Sequence, residues 1–177
     1  MNIQRLEMMR VMLLRIAAGS WEPTPVLVGD ELKWGGYTPD ALVDIKKFDL
    51  GYWVLNDGTT KTENGNVCGF SACAVGHACF DEEFRKLGWK WIGSTPTYSG
   101  EVAWDAVLKF FEISDGTDEL MFMDDAYPYD EREDDAYPYD EREYDVTPKM
   151  VADRIQELMT LGELKFREKY KSIMEML

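Results

Sequence analysis

The chain has 177 residues, of which 45% are hydrophobic and 13% aromatic; these values suit one globular domain and leave little room for a second. Its formal net charge of −15 argues against direct binding of nucleic acid or of an anionic membrane. The sequence contains no apolar run of about 18 residues, so it predicts no transmembrane helix. The chain has three cysteines, an odd number, and we see no export signal. We therefore expect the protein to lie in the reducing cytoplasm and to have no disulfide framework.

Helical periodicity is clearest near the two ends of the chain. Apolar residues recur at three- and four-residue steps from Ile3 to Ile16, and Gly19 follows as a suitable left-handed stop. Thr147-Pro148 combines a helix cap with a proline in the first turn, and it predicts a helix that ends at Gly162. A last helix is predicted from about residue 163 to the end of the chain.

The middle of the chain predicts shorter elements. Helices are expected at 81–88, at 103–111 with Ser99 as the cap, and at 118–122. Residues 89–92 could form a strand, and residues 93–100 are expected to be a loop. The sequence therefore predicts a mainly α fold. We expect residues 1–177 to form a single compact multi-helix domain with at most a small β-hairpin or short sheet.

All three cysteines and the one histidine fall in the small-residue stretch from Val67 to Phe80. We expect this stretch to be a buried helix. If the helix begins at Gly69-Phe70, Cys68 lies at its N-terminal end, where exposed amides would favour a thiolate nucleophile. His77 could serve Cys73, four residues before it, as a base.

Three interpretations of this stretch remain open. The first is a close-packed core helix, because cysteine commonly fills space as a small apolar residue. The second is a catalytic site with Cys68 as nucleophile and His77 as an accessory residue. The third is a metal site, although the Cys-x₂-Cys pairing typical of zinc is absent from the sequence. We expect neither a metal nor a cofactor.

An acidic decapeptide is repeated in tandem. Asp-Asp-Ala-Tyr-Pro-Tyr-Asp-Glu-Arg-Glu occurs at 124–133 and again, letter for letter, at 134–143. Residues 124–145 contain eleven acids and two arginines, and we expect them to form an acidic, partly flexible loop within the domain. The residues could be a solvated loop, a docking surface for a basic protein, or a calcium site that lacks the EF-hand pattern. The predicted docking residues are Asp124, Asp125, Tyr127, Tyr129, Asp134, Asp135, Tyr137 and Tyr139.

Two motifs resemble the signature of a family of small proteins from bacteriophages and bacteria. The sequences Phe-Asp-Leu-Gly-Tyr-Trp at 48–53 and Cys-Gly-Phe-Ser-Ala-Cys-Ala-Val-Gly-His-Ala at 68–78 are similar to F-D-M-x-x-W and C-G-T-x-x-C-x-x-G-[WH]-A. The resemblance implies a phage-type origin and supplies no activity. Phe70 stands where that family usually has threonine, and relatives often carry tryptophan at the position of His77.

These observations favour a binding protein over an enzyme. The leading hypothesis is a phage-type accessory protein that acts in the host cytoplasm and blocks a host protein with a basic surface, in a counter-defence or takeover role. The first alternative is a cysteine-dependent hydrolase. The second is a protein that binds a small ligand such as a nucleotide signal in a pocket lined by tryptophans. That pocket would be formed by Trp53, Trp89, Trp91 and Trp104.

Overall fold

A computed structural model describes residues 1–23, 45–48, 54–56, 70–92, 95–123, 126–127 and 146–175. Within these ranges the helices are α1 (Ile3–Ala17), α2 (Ala74–Cys79), α3 (Glu82–Lys86), α4 (Ala103–Phe111), α5 (Thr117–Phe122), α6 (Pro148–Leu161), α7 (Glu163–Lys169) and α8 (Lys171–Met174). The strands are β1 (Ile45–Phe48), β2 (Val54–Asn56), β3 (Phe70–Ala72), β4 (Lys90–Ile92), β5 (Thr95–Tyr98) and β6 (Glu101–Val102). The described part is mainly helical, as predicted.

The two long helices form as their sequence signals indicate. The Asn2 side chain caps α1 by accepting a hydrogen bond from the backbone N–H of Arg5, and the chain turns at Gly19, which has a φ of +65°. Thr147 caps α6 by accepting from the N–H of Met150. Helix α1 packs most extensively against α6. The apolar residues buried on these two helices are Leu6, Met9, Met12, Leu13, Val151, Ala152, Ile155 and Leu158.

The described residues contain two three-stranded sheets, which is more β-structure than predicted. Strand β3 lies between β1, to which it is parallel, and β2, to which it is antiparallel. Strands β4, β5 and β6 form an antiparallel sheet. The prediction of a loop at residues 93–100 was wrong over β5. The prediction failed because proline is rare in strands and Pro96 lies in β5. The strand tolerates Pro96 because β6 pairs only with Thr97 and Tyr98, so no acceptor on that side of β5 requires an N–H at position 96.

Two helix predictions need correction. The turn between β5 and β6 contains Ser99, which has a φ of 52°, and the N-cap position of α4 is Val102. Ser99 is therefore not the cap of α4. The predicted final helix is divided at Tyr170, where a ψ of 17° separates α7 from α8. The described buried hydrophobic residues form one contiguous cluster, and the organisation of residues 1–177 as one domain stays a prediction.

Candidate functional site

Cys73, and not Cys68, occupies the N-terminal end of the helix in the cysteine stretch. Residues 70–72 form β3, and α2 begins only at Ala74. The Cys73 sulfur accepts a hydrogen bond from the N–H of Gly76 at 3.3 Å, which is the role of a helix cap. The prediction of a helix starting at Gly69-Phe70 was wrong because pairing with β1 and β2 extends these residues. Cys68 itself lies outside the described residues, and its predicted placement at a helix end is lost.

His77 is a buried structural residue of α2, with 2% of its surface exposed. Its Nδ1 lies 2.9 Å from the carbonyl oxygen of Cys73, and because a carbonyl only accepts, Nδ1 carries the proton. The imidazole centroid lies 5.0 Å from the Trp21 ring and 5.6 Å from the Phe48 ring. Burial lowers the pKa of His77 to about 4, so the ring is neutral at neutral pH. Its protonated nitrogen is committed to the backbone of Cys73.

Cys79, at the end of α2, is also part of the core. Its thiol donates to the carbonyl oxygens of Val75 at 3.6 Å and Lys90 at 3.7 Å. Burial raises the pKa of the Cys79 thiol well above its ordinary value, so the reactive thiolate is disfavoured. The described part of the cysteine stretch therefore has the properties of core, which is the first of the three interpretations above.

The first copy of the acidic repeat contributes two residues to the core, Ala126 and Tyr127. Tyr127 is 4% exposed, and its hydroxyl donates to the carbonyl oxygen of Met121 at 2.6 Å. The guanidinium carbon of Arg154 lies 3.6 Å from the centroid of the Tyr127 ring. We predicted that Tyr127 is an exposed anchor of a docking surface; it is instead a core residue. The other predicted docking residues lie outside the described ranges: Asp124, Asp125, Tyr129, Asp134, Asp135, Tyr137 and Tyr139.

Arg154 organises the contacts around Tyr127. One guanidinium nitrogen, Nη1, donates to the carbonyl oxygens of Leu120 at 2.8 Å and Ala126 at 2.7 Å. The guanidinium carbon also lies 4.8 Å from the centroid of the Tyr170 ring. We call this site the Arg154 cradle and define it as the Arg154 guanidinium, the Tyr170 ring and the carbonyl groups of Leu120 and Met121. Charge-assisted hydrogen bonds contribute about 1.5–3 kcal/mol each, so the cradle fixes Ala126 and Tyr127 firmly.

Glu157 holds the Tyr170 side of the cradle. Its carboxylate accepts from the Tyr170 hydroxyl at 2.7 Å and from the ammonium group of Lys169. Partial burial by itself would raise the pKa of Glu157, but these two hydrogen bonds outweigh it and lower the pKa. The Tyr170 ring is therefore held by α6 at its hydroxyl end while its face meets Arg154.

The acidic segment, residues 124–145, is attached to α6 near both of its ends. Tyr127 contacts Arg154, and the segment ends just before Thr147, the cap of α6. At a rise of 1.5 Å per residue, Arg154 and Thr147 are about 10 Å apart along the helix. Residues 128–145, with nine acids and two arginines, connect these two points. The strongest charge in the sequence is thereby tied to the N-terminal half of one helix.

The predicted tryptophan pocket is not formed around Trp89. This ring is 1% exposed and packs 4.8 Å from the Phe110 ring and 6.1 Å from the Tyr98 ring, measured between centroids. Trp89 is thus a core residue, and Trp53 lies outside the described residues. A groove of about 480 Å³ does lie between α1 and α3, and no tryptophan is among the residues that line it.

Two further features of the described residues bear on chemistry. In these ranges no group of three or more histidine, cysteine, aspartate and glutamate side chains could hold a metal ion. Among the helices described here, none is both long and apolar enough to cross a membrane.

Sequence reasoning missed the burial of three charged residues. Asp81, the cap of α3, is 7% exposed, Arg154 is 8% exposed and Asp118 is 2% exposed; Oδ1 of Asp118 has no hydrogen-bond partner among the described residues. Burial raises the pKa of Asp118 to about 6. A signal for Arg154 was available, because it lies three residues after Val151 and one before Ile155, on the apolar stripe of α6. No comparable signal marks Asp118.

Comparisons with models of protein families, with curated proteins and with solved structures find no match. The resemblance to the family of phage and bacterial proteins stays a prediction.

Proposed function

We propose that this protein acts by binding, and that its acidic segment docks on the basic surface of a partner protein. The observation that carries the proposal is the concentration of eleven acids and two arginines in residues 124–145, attached to α6 through Tyr127 and Thr147. Charge concentrated in one short segment attracts a surface of opposite sign over a distance and suppresses contact with acidic proteins.

The geometry of the reactive residues supports binding over catalysis. His77 is neutral and bound to a backbone carbonyl, and the Cys79 thiol is held protonated by burial. Cys73 uses its sulfur to cap α2. A thiol nucleophile is activated by an adjacent base, and His77, with a pKa lowered to about 4 by burial, is a weak base. The Cys73 sulfur is buried and accepts a hydrogen bond from the N–H of Gly76 within the helix.

The proposal extends to a biological role. A dense run of carboxylates resembles a nucleic-acid backbone in charge, so the natural partner is a host protein that binds nucleic acid or acts in defence. The protein would block that partner by occupying its basic surface. The phage-like motifs at 48–53 and 68–78 favour such an accessory role in the cytoplasm of a bacterial host.

The test variant must change charge without disturbing the fold. Deletion of residues 124–143 would remove Tyr127 from the core, so a loss of binding after deletion would have two explanations. We would instead neutralise three acids of the segment, in the triple variant E133Q/D134N/D135N. The matched control is D105N/E168Q/E175Q, which changes three exposed acids of α4, α7 and the residue after α8. Both variants move the net charge by the same amount.

Binding partners would be captured from bacterial cytosol with the wild-type protein, purified, and measured by calorimetry at two salt concentrations. We expect the segment variant to bind roughly tenfold more weakly, because exposed charges contribute up to about 0.5 kcal/mol each. We expect the control variant to bind almost as well as the wild type. Equal affinities of the two triple variants for every partner would show that the acidic segment is not the docking surface.

A further inference from the structure

The Arg154 cradle has the properties of a binding site built for one short sequence. The Tyr127 hydroxyl donates a hydrogen bond to the Met121 carbonyl of the cradle at 2.6 Å, and Arg154 donates to the Ala126 carbonyl at 2.7 Å. Ala126 is fully buried, so a larger side chain would not fit without movement. The cradle thus recognises an alanine, the tyrosine after it and the backbone between them.

The chain carries this recognised sequence twice. Ala136 and Tyr137 stand in the second copy, with the same two residues before them and the same six after them as in the first copy. We propose that the Arg154 cradle is a binding site for the Ala-Tyr pair of the repeat and that the two copies compete for it. The second copy is then an internal ligand that can replace Ala126 and Tyr127. This inference goes beyond the proposed function and stands whether or not the acidic segment binds a partner.

The lengths of the connections permit the exchange. With the second copy in the cradle, residues 138–145 must reach from the cradle to the start of α6. Eight extended residues span up to about 27 Å, which exceeds the separation of about 10 Å along α6. The other connection, residues 124–135, is longer still. Neither connection prevents Tyr137 from reaching Arg154.

The same lengths set the balance between the two registers. With the first copy in the cradle, two residues connect Met123 to the bound pair and eighteen connect the pair to Val146. With the second copy in the cradle, the two connections have twelve and eight residues. Because the probability of closing a flexible connection falls as about the 3/2 power of its length, the first copy is favoured by roughly fourfold. The Ala126 N–H also donates to the Met123 carbonyl at 3.3 Å; in the second copy the Glu133 carbonyl stands at the equivalent position.

The exchange would move charge along the surface. In the first register nine acids lie between the cradle and the start of α6, and in the second register only four do. The remaining acids of the segment then lie between α5 and the cradle. One chain would therefore present two distributions of the same acidic charge, related by a shift of ten residues.

The experiment uses the full chain and three variants: Y127A, Y137A and Y127A/Y137A. The equilibrium constant for folding is measured by urea titration with tryptophan fluorescence. With a fourfold preference for the first copy, Y127A should lower this constant only about fivefold and Y137A less than about twofold. The double variant should lower it more than about a hundredfold, because nothing then fills the aromatic position.

A chain with one copy deleted provides the matched control. Deleting either decapeptide gives the same sequence, which retains a single Ala-Tyr pair, and the tyrosine-to-alanine substitution there should have the full effect of the double variant. The proposal is overturned if Y127A in the two-copy chain is as damaging as the double variant, including failure to fold. It is equally overturned if the double variant loses nothing, since the cradle would then bind neither copy.

Discussion

Asp118 offers a quantitative test of the packing around α5. Its carboxylate is buried, and one of its oxygens lacks a hydrogen-bond partner among the described residues. Burial raises its pKa from 3.8 to about 6. An acid with a raised pKa in the folded state stabilises that state at low pH, and the contribution is lost as the pH rises through about 6. A shift of this size corresponds to about 3 kcal/mol at 1.36 kcal/mol per pKa unit.

The titration of His77 changes the free energy of unfolding in the opposite direction over nearly the same pH range. Its pKa falls from 6.5 to about 4 on folding, so the unfolded chain binds a proton that the folded chain does not. The folded state is then fully favoured above pH 6.5 and loses about 3 kcal/mol as the pH falls to 4. Between about pH 4 and pH 6 the contributions of Asp118 and His77 therefore nearly cancel.

The substitution D118N removes one side of this balance. Asparagine has a similar shape and no charge, so the variant should gain up to about 3 kcal/mol over the wild type between pH 4 and pH 7. Urea unfolding at pH 4.5 and pH 7.5, at constant ionic strength, should record about 2 kcal/mol of this gain, because about 1.5 pH units of the titration lie above pH 4.5. The control is D115N, which removes an exposed neighbouring carboxylate. The reasoning is refuted if the difference between D118N and the wild type is independent of pH, or if D115N changes it equally.

Three other results are expected. R154K should lower the free energy of unfolding by about 2–4 kcal/mol in urea titrations, because lysine replaces the planar fork of Arg154 with a single charged point; R15K, on exposed surface, is the control. Mass spectrometry after alkylation of the native protein should find Cys73 and Cys79 protected until unfolding, and rapid labelling of Cys68 at low pH would favour the hydrolase. G116A should lower the thermal midpoint, because Gly116 has a φ of +80° and an added Cβ would lie 2.9 Å from a methionine methyl group.

The helices that the sequence predicted well are those whose signals are local. In α1 and α6 the apolar period, the cap and the terminal glycine all lie within one segment, and agreement among these signals is what specifies a helix. Strand β3 has no such support. Its Phe-Ser-Ala sequence suits a helix as well as a strand, and its conformation depends on pairing with β1 and β2, which are distant in sequence. The error about Cys68 follows directly from this non-local dependence.

The repeat shows most sharply where local sequence stops being informative. Tyr127 and Tyr137 have identical neighbours on both sides, so every local signal assigns them the same environment. The structure places Tyr127 in the core because only three residues separate its alanine from α5, which brings it to Arg154 at the lowest cost in loop closure. Burial of Tyr127 is thus a property of chain connectivity and of an arginine that follows it by 27 positions. A duplication that copies the ligand without copying its site leaves the second tyrosine with the same affinity and a less favourable tether, and the comparison of Y127A with Y127A/Y137A measures that difference.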